Sequence, residues 1–140
     1  MDGQVHAGCV AIDGRGVLIA GASGRGKSDL ALRLVDRGAR LVSDDYCLLR
    51  AAGGRLYATP PPAIAGRIEV RGIGLVAVEA LAEAPVCLLV DLDRAPERLP
   101  EPGSVSFLGL DVPAVGLAAL EASAAIKVEL ALASFGLPLP

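Results

Sequence analysis

The residues Gly21-Ala22-Ser23-Gly24-Arg25-Gly26-Lys27-Ser28 combine a flexible backbone with one ammonium and one hydroxyl, and they fit the pattern G-x-x-x-x-G-K-[ST]. Three glycines let the chain curl so that successive N–H groups point inward, and a helix starting near Lys27 adds its positive dipole end and unpaired donors. Such a nest binds phosphate oxygens. Lys27 would reach the β- and γ-phosphates of a nucleoside triphosphate, and the Ser28 hydroxyl would help hold Mg²⁺. A plain glycine-rich turn between strand and helix would need neither the Lys nor the Ser.

A phosphate loop alone gives nucleotide binding, and the chemistry beyond it depends on which carboxylates supply metal and base. Two strand ends compete. Val86-Cys87-Leu88-Leu89-Val90-Asp91 is an apolar strand ending in an Asp, as a generic nucleotide hydrolase has. Leu41-Val42-Ser43-Asp44-Asp45 is shorter but carries two acids, of which at most one would address the γ-phosphate if the segment stayed extended. An Asp there could take a proton from an incoming hydroxyl, whereas the blander reading is a solvated turn. Glu69 shares one face of Arg67-Ile68-Glu69-Val70-Arg71 with the flanking arginines, as an exposed strand face would. His6, the only histidine, sits in an apolar stretch that suits a structural residue as well as a catalytic one. Arg98, in Pro96-Glu97-Arg98-Leu99-Pro100, reads by default as a loop charge.

These residues need elements to position them. Val5 to Ile12 reads as a strand, Asp13-Gly14-Arg15-Gly16 as a turn, and Val17 to Ala20 as the strand feeding the loop. Leu30, Ala31, Leu34 and Val35 recur at helical spacing, and Gly38 suits a helix C-terminus, so a helix spans about Lys27 to Arg37. Arg40 to Ser43 is a short strand delivering Asp44-Asp45. Tyr46 to Arg50 and Arg55 to Ala58 form a hairpin about Gly53-Gly54. Pro60-Pro61-Pro62 forbids regular pairing. Ile68 to Arg71 and Leu75 to Val78 flank the break Gly72-Ile73-Gly74, and Val86 to Val90 is a buried strand. Asp93 to Gly103 reads as a loop, Val105 to Leu108 as a strand, and Ala114 to Ser134 as one or two closing helices.

At 140 residues the chain reads as a single domain, 1–140, with a core rich in Ala, Val and Leu, 53% hydrophobic content and no Trp. That composition and a net charge of −3 argue against nucleic acid as a partner. Mean hydropathy is +0.54, yet no apolar run approaches the ~18 residues of a membrane span. The N-terminus has no signal-peptide pattern, which points to the cytoplasm. Cys9, Cys47 and Cys87 are odd in number and set among apolar residues, as reduced core thiols are.

Taken together, His6, the loop Gly21 to Ser28, Leu41-Val42-Ser43-Asp44-Asp45 and Ile68-Glu69-Val70-Arg71-Gly72-Ile73-Gly74-Leu75 resemble the bacterial HPr kinase/phosphorylase family in order and spacing. The Glu-Val-Arg-Gly-Ile-Gly stretch is the most specific part, and the likeness weakens after about Val78. The resemblance implies an α/β domain with a mixed sheet and flanking helices, like phosphoenolpyruvate carboxykinase around its nucleotide site. It implies a serine kinase using ATP and Mg²⁺ on the phosphocarrier HPr, or its nitrogen-system relative, in phosphotransferase-system regulation. Carried over, Lys27 holds the phosphates, Ser28 and Glu69 bind Mg²⁺, and Asp44 is the base with Asp45 beside it and His6 at the same site. Arg71 to Gly74 belong to the segment the family uses in catalysis. Arg98 is a weaker match to an active-site arginine, Asp91 loses its claim to the metal, and a homo-oligomer, a hexamer, is implied. Asp29 stands where Glu is common in the family, and Leu117-Ala118-Ala119-Leu120-Glu121-Ala122 replaces a basic, glycine-containing segment. A small-molecule kinase using Asp91, or an ATP-sensing module without catalysis, is the alternative.

Overall fold

A computed structural model describes residues 2–101 and 103–140. Along the chain run β1 (Asp2–Val5), β2 (Ala7–Ile12), β3 (Arg15–Ala20), α1 (Lys27–Asp36), β4 (Arg40–Ser43), β5 (Cys47–Ala52), β6 (Arg55–Thr59), β7 (Arg67–Val70), β8 (Gly74–Ala77), β9 (Ala84–Asp91), β10 (Gly103–Phe107), β11 (Leu110–Gly116) and α2 (Ala124–Phe135). A single 3-10 turn, Pro62–Ile64, follows the proline run.

β9 is the spine. It runs parallel to β3 along one edge, and its other edge is shared by β6, antiparallel at Ala84 and Pro85, and β11, parallel at Leu89 to Asp91. The main sheet follows the order β1-β5-β6-β9-β3-β2-β4, with β11 and then β10 added beside β9, while β7 and β8 form a separate hairpin. Side chains along the central strands alternate between two cores, as the twofold period of a strand requires. Val17, Ile19, Leu88 and Val90 face one core, which also takes Leu30 and Leu34 of α1 and Val128 and Leu132 of α2. Leu18, Leu89 and Val42 face the other, closed by Leu49, Leu56 and Val112 from the sheet itself. The fold is therefore mixed α/β with a curled sheet, and both helices lie on one face rather than flanking two.

Most expected elements are present, with differences that have local causes. The single strand expected from Val5 to Ile12 is broken at His6, so β1 pairs with β5 while β2 pairs with β3 and β4. The first hairpin turns on Asp13-Gly14 alone (φ +51° and +81°), a tight two-residue turn that lets Arg15 enter β3. The loop expected from Asp93 to Gly103 is irregular as far as Glu101; Pro102 lies outside the described residues, and Gly103 already begins β10. The expected helix from Ala114 is corrected: Ala114 to Gly116 end β11, residues 117–123 form turns, and one helix, α2, follows. β10 and β11 join through Leu108-Gly109 (φ +52° and +80°), and leucine rarely takes that left-handed conformation.

All three cysteines are buried and free. The Cys9 thiol is pushed well above its usual range, first by its hydrogen bond with the Cys47 side chain and then by burial, so it stays protonated and inert.

Arg15, at the start of β3, fastens the end of the chain. Its Nη2 donates to Leu132 O at 3.2 Å and Leu137 O at 2.7 Å, and its Nε donates to Leu137 O at 3.1 Å. Arg15→Ala would remove both donors to Leu137 O and one of the two to Leu132 O, which also accepts from Gly136 N, and is expected to cost about 1.5–3 kcal/mol of stability. Urea denaturation is the measurement, with Arg40→Ala as the control. Arg40 makes only an exposed contact with Glu79 at 4.0 Å, so its replacement should stay within about 0.5 kcal/mol.

Candidate active site

The glycine loop leaves β3 and enters α1 at Lys27. Gly24 (φ +85°) and Gly26 (φ +91°) take the left-handed backbone that the curl needs and that a Cβ would disfavour. Gly26 is the N-cap of α1 and makes no side-chain cap, so no capping side chain competes with an anion at the first-turn amides. The Lys27 side chain is only 6% exposed, and its ammonium donates to Gly21 O at 2.5 Å, tying the two ends of the loop together.

Two further elements converge on that ammonium. His6, at the break between β1 and β2, places Nε2 3.2 Å from Lys27 Nζ and 2.9 Å from Asp45 Oδ1, and Lys27 Nζ lies 3.5 Å from Asp45 Oδ1. One imidazole nitrogen cannot serve both neighbours in one tautomer. With its proton, Nε2 donates to Asp45; without it, Nε2 accepts from Lys27 while the ammonium attracts Asp45 directly. The His6 ring stacks on Tyr46, centroids 4.6 Å apart and planes at 22°.

Asp44 and Asp45 lie just beyond β4, in a tight turn rather than an extended strand. Tyr46 N donates to Asp44 O at 2.8 Å, Asp45 has φ +67°, and Ser43 Oγ donates to Tyr46 O. This reversal about Asp45 sends the two carboxylates to different partners. Asp44, only 9% exposed, accepts from Ser28 Oγ at 2.6 Å with Oδ1 and from Glu69 N at 2.9 Å with Oδ2. Asp45 is about half exposed and belongs to the His6–Lys27 triangle. A strained turn of this kind costs about 1–3 kcal/mol and persists where neighbours over-determine it, as the Ser43 bond does here.

Glu69, on β7, brings its backbone to Asp44, and its own side chain is exposed. Among the described residues no three His, Cys, Asp or Glu side chains are grouped to hold a metal. Mg²⁺ does not require such a group, because it commonly uses one or two protein oxygens together with phosphates and water. Ser28 Oγ, backed by the Asp44 carboxylate, and the outward Glu69 carboxylate are oxygen donors of that type.

The structure thus brings together His6, Lys27, Ser28, Asp44, Asp45 and the Glu69 backbone. It does not bring Arg98 to them. Arg98 is exposed in the irregular segment after β9 and lines a cleft of about 440 Å³ with Lys127, Leu130 and Phe135 of α2. Asp91 accepts the Asp93 amide at 2.9 Å and serves its own turn. The neighbour Asp93 touches the glycine loop instead, accepting from Ala22 N at 2.9 Å and pairing with Arg25 Nε at 2.9 Å. Sequence reasoning missed Asp93 and Tyr46; proximity to a candidate strand end was the one available signal for Asp93, and the stacking of Tyr46 had none.

The HPr serine kinase C-terminal domain family matches residues 1–84. The chain belongs to this family. Its first half resembles the HPr kinase/phosphorylase of Clostridium botulinum (strain Eklund 17B / Type B), 44% identical over 78 residues, covering 56% of this chain and 26% of that protein. The corresponding protein of Mycoplasmopsis pulmonis is 45% identical over 73 residues, covering 52% of this chain and 24% of that one. The chain therefore spans about a quarter of the length of the curated relatives it matches. A solved structure of the Hpr(Ser) kinase/phosphatase from Coxiella burnetii superposes with a TM-score of 0.83 at 28% identity, covering 94% of both chains. The family domain thus extends structurally through β11 and α2, beyond the reach of the sequence match.

Lys27→Ala should weaken nucleotide binding at least tenfold, since it removes one or two charge-assisted phosphate contacts worth about 1.5–3 kcal/mol each. Isothermal titration with ATP and Mg²⁺ is the measurement, and unchanged affinity would remove the loop from the site.

Proposed function

We propose that the protein is an ATP- and Mg²⁺-dependent serine kinase acting on the phosphocarrier HPr or its nitrogen-system relative. The observation that carries this reading is the joining of the phosphate loop to a second pair of acids, with Ser28 bonded to Asp44 and Lys27 beside Asp45. Mg²⁺ bound with the nucleotide at Ser28 and Glu69 would neutralise charge developing on the phosphates.

The resemblance assigns the base to Asp44, and the geometry favours its neighbour. Both Asp44 oxygens are engaged in a buried setting, which suits a residue that orients the Ser28 hydroxyl. Asp45 is exposed enough to meet a protein substrate and has His6 beside it. In this scheme Asp45 takes the proton of the acceptor serine hydroxyl as that oxygen attacks the γ-phosphorus. The bond from the γ-phosphorus to the β,γ-bridging oxygen breaks, ADP leaves, and Lys27 follows the charge. His6 holds the Asp45 carboxylate and provides a relay for the proton.

The test is transfer from γ-labelled ATP to purified HPr and to its nitrogen-system relative, read as acid-stable phosphoserine. Asp45→Asn should lower turnover by about 10²–10⁴-fold with ATP affinity little changed. Asp44→Asn should lower turnover and ATP affinity together, because an amide keeps only one acceptor oxygen for the two donors, Ser28 Oγ and Glu69 N. Asp91→Asn should do neither. ATP binding with no transfer to either carrier would favour a sensing module instead.

We also infer that removal of the phosphoryl group by inorganic phosphate is weak in this chain alone. That step must hold a second anion beside an existing one, and after Pro113 the only basic residue is Lys127, already paired with Glu121. Phosphoserine carrier incubated with Mg²⁺ and phosphate, without nucleotide, should release pyrophosphate far more slowly than the forward transfer. A comparable rate would show that other residues, or a second copy of the chain, supply the charge.

A further inference from the structure

The phosphate loop, Asp44 and Asp45 account for the phosphate end of a nucleotide and leave its sugar and base without a seat. We propose that the turn after β11, with the Leu120 side chain at its tip, holds the nucleoside half. This deepens the proposed function and rests on its nucleotide site.

Topology sets the direction. β3, β9 and β11 are parallel and end level, Ala20 pairing with Asp91 and Asp91 with Gly116, so the loops leaving them share one edge of the sheet. Ligands of such sheets bind at the carboxyl ends of the strands. Asp44 and Asp45 leave β4, which lies on the opposite side of β3, beyond β2. A nucleotide with its transferable phosphate near Asp45 and its phosphate chain on the glycine loop therefore extends away from β4, toward the ends of β9 and β11.

The turn after β11 reaches the loop. A Cβ placed on Gly26 would lie 3.5 Å from Ala119 Cβ and 3.7 Å from Leu120 Cδ2, so these side chains border the last residue of the phosphate loop. Leu120 is 86% exposed while Ala119 beside it is 5% exposed. A lone exposed leucine is ordinary, so its exposure alone decides nothing. This one is on a fixed support: Arg33 of α1 donates to the carbonyls on both sides of it, Glu121 O at 3.1 Å and Ala119 O, and Leu117 N donates to Asp91 O at 3.2 Å. An aliphatic side chain carried on a fastened turn at the edge of the glycine loop offers an apolar surface for a sugar and base, and burying part of it on binding is favourable.

Neutral variants separate this contact from phosphate binding. Leu120→Ala and Leu120→Ser in the full chain are titrated with ATP and with inorganic tripolyphosphate, each with Mg²⁺, beside Lys27→Ala. The expected result is a loss of ATP affinity on the order of five- to tenfold in both Leu120 variants, with tripolyphosphate affinity unchanged. Lys27→Ala should weaken both ligands. ATP affinity equal to the parent's in both variants would overturn the inference while leaving the phosphate site standing, as would equal losses for ATP and tripolyphosphate. A parent chain that binds neither ligand would overturn the nucleotide site and this seat with it.

Discussion

The structure turns on one buried ammonium. Lys27 is almost wholly withdrawn from water, and an uncompensated charge in that position costs several kcal/mol. Its compensation comes from three separate parts of the chain: Gly21 O at the start of the loop, His6 between β1 and β2, and Asp45 beyond β4. Each contact to a charged group is worth about 1.5–3 kcal/mol, so the three together are of the size needed to keep the amine inside. Satisfying Lys27 therefore fixes the loop closure, the strand break and the Asp45 turn at once. In the proposed nucleotide complex a phosphate would add negative charge where Asp45 already stands, so the lysine could exchange or share partners without leaving its place.

Asp44 performs the complementary task from the same turn. It joins α1 through Ser28 and β7 through the Glu69 amide, and Ile68 beside that amide is fully buried in the core containing Leu30 and Leu34. The β7–β8 hairpin, which has no partner in the main sheet, is thereby anchored at the site by a carboxylate and at the core by an isoleucine. The backbone reversal about Asp45 is what allows adjacent acids to do different work, one buried and structural, one open to solvent.

Much of this was legible in the sequence, and the exceptions have physical reasons. The loop, α1 and β4 carry strong local signals, a glycine pattern, a helical period and a short apolar run before two acids. Gly53-Gly54 and Asp13-Gly14 supply turn residues that accept positive φ, so their hairpins could be read directly. β11 could not: its entry turn uses Leu108 where Gly or Asn is usual, Pro113 sits inside the strand, and the alanines that follow favour a helix. At the site, the grouping of His6, Lys27 and the two acids was anticipated through family likeness. Their division of labour was not, because it depends on a left-handed Asp45 that no local pattern announces. Tyr46, Asp93 and Arg33 act through distant partners, and spacing along the chain carries no trace of such pairs.

The contrast between a sequence match ending at residue 84 and a structural match over 94% of the chain follows from what each half must do. On the proposed function, the first half carries groups whose chemistry admits few substitutes, an ammonium, a hydroxyl and two carboxylates at fixed separations. The second half mostly fills volume. Val112 and Ala114 complete one core, and Val128 and Leu132 complete the other; other apolar residues of similar size serve such places almost as well. Its tighter constraints are a few close backbone approaches, as at Gly116, where a Cβ would come within 2.6 Å of Arg94 O. Its polar constraints face back to the first half: Arg15 and Arg55 hold the C-terminal carbonyls, and Arg33 holds the turn beside Gly26. The turn after β11, the end of α2 and the C-terminal residues are thus fastened by arginines of the early chain.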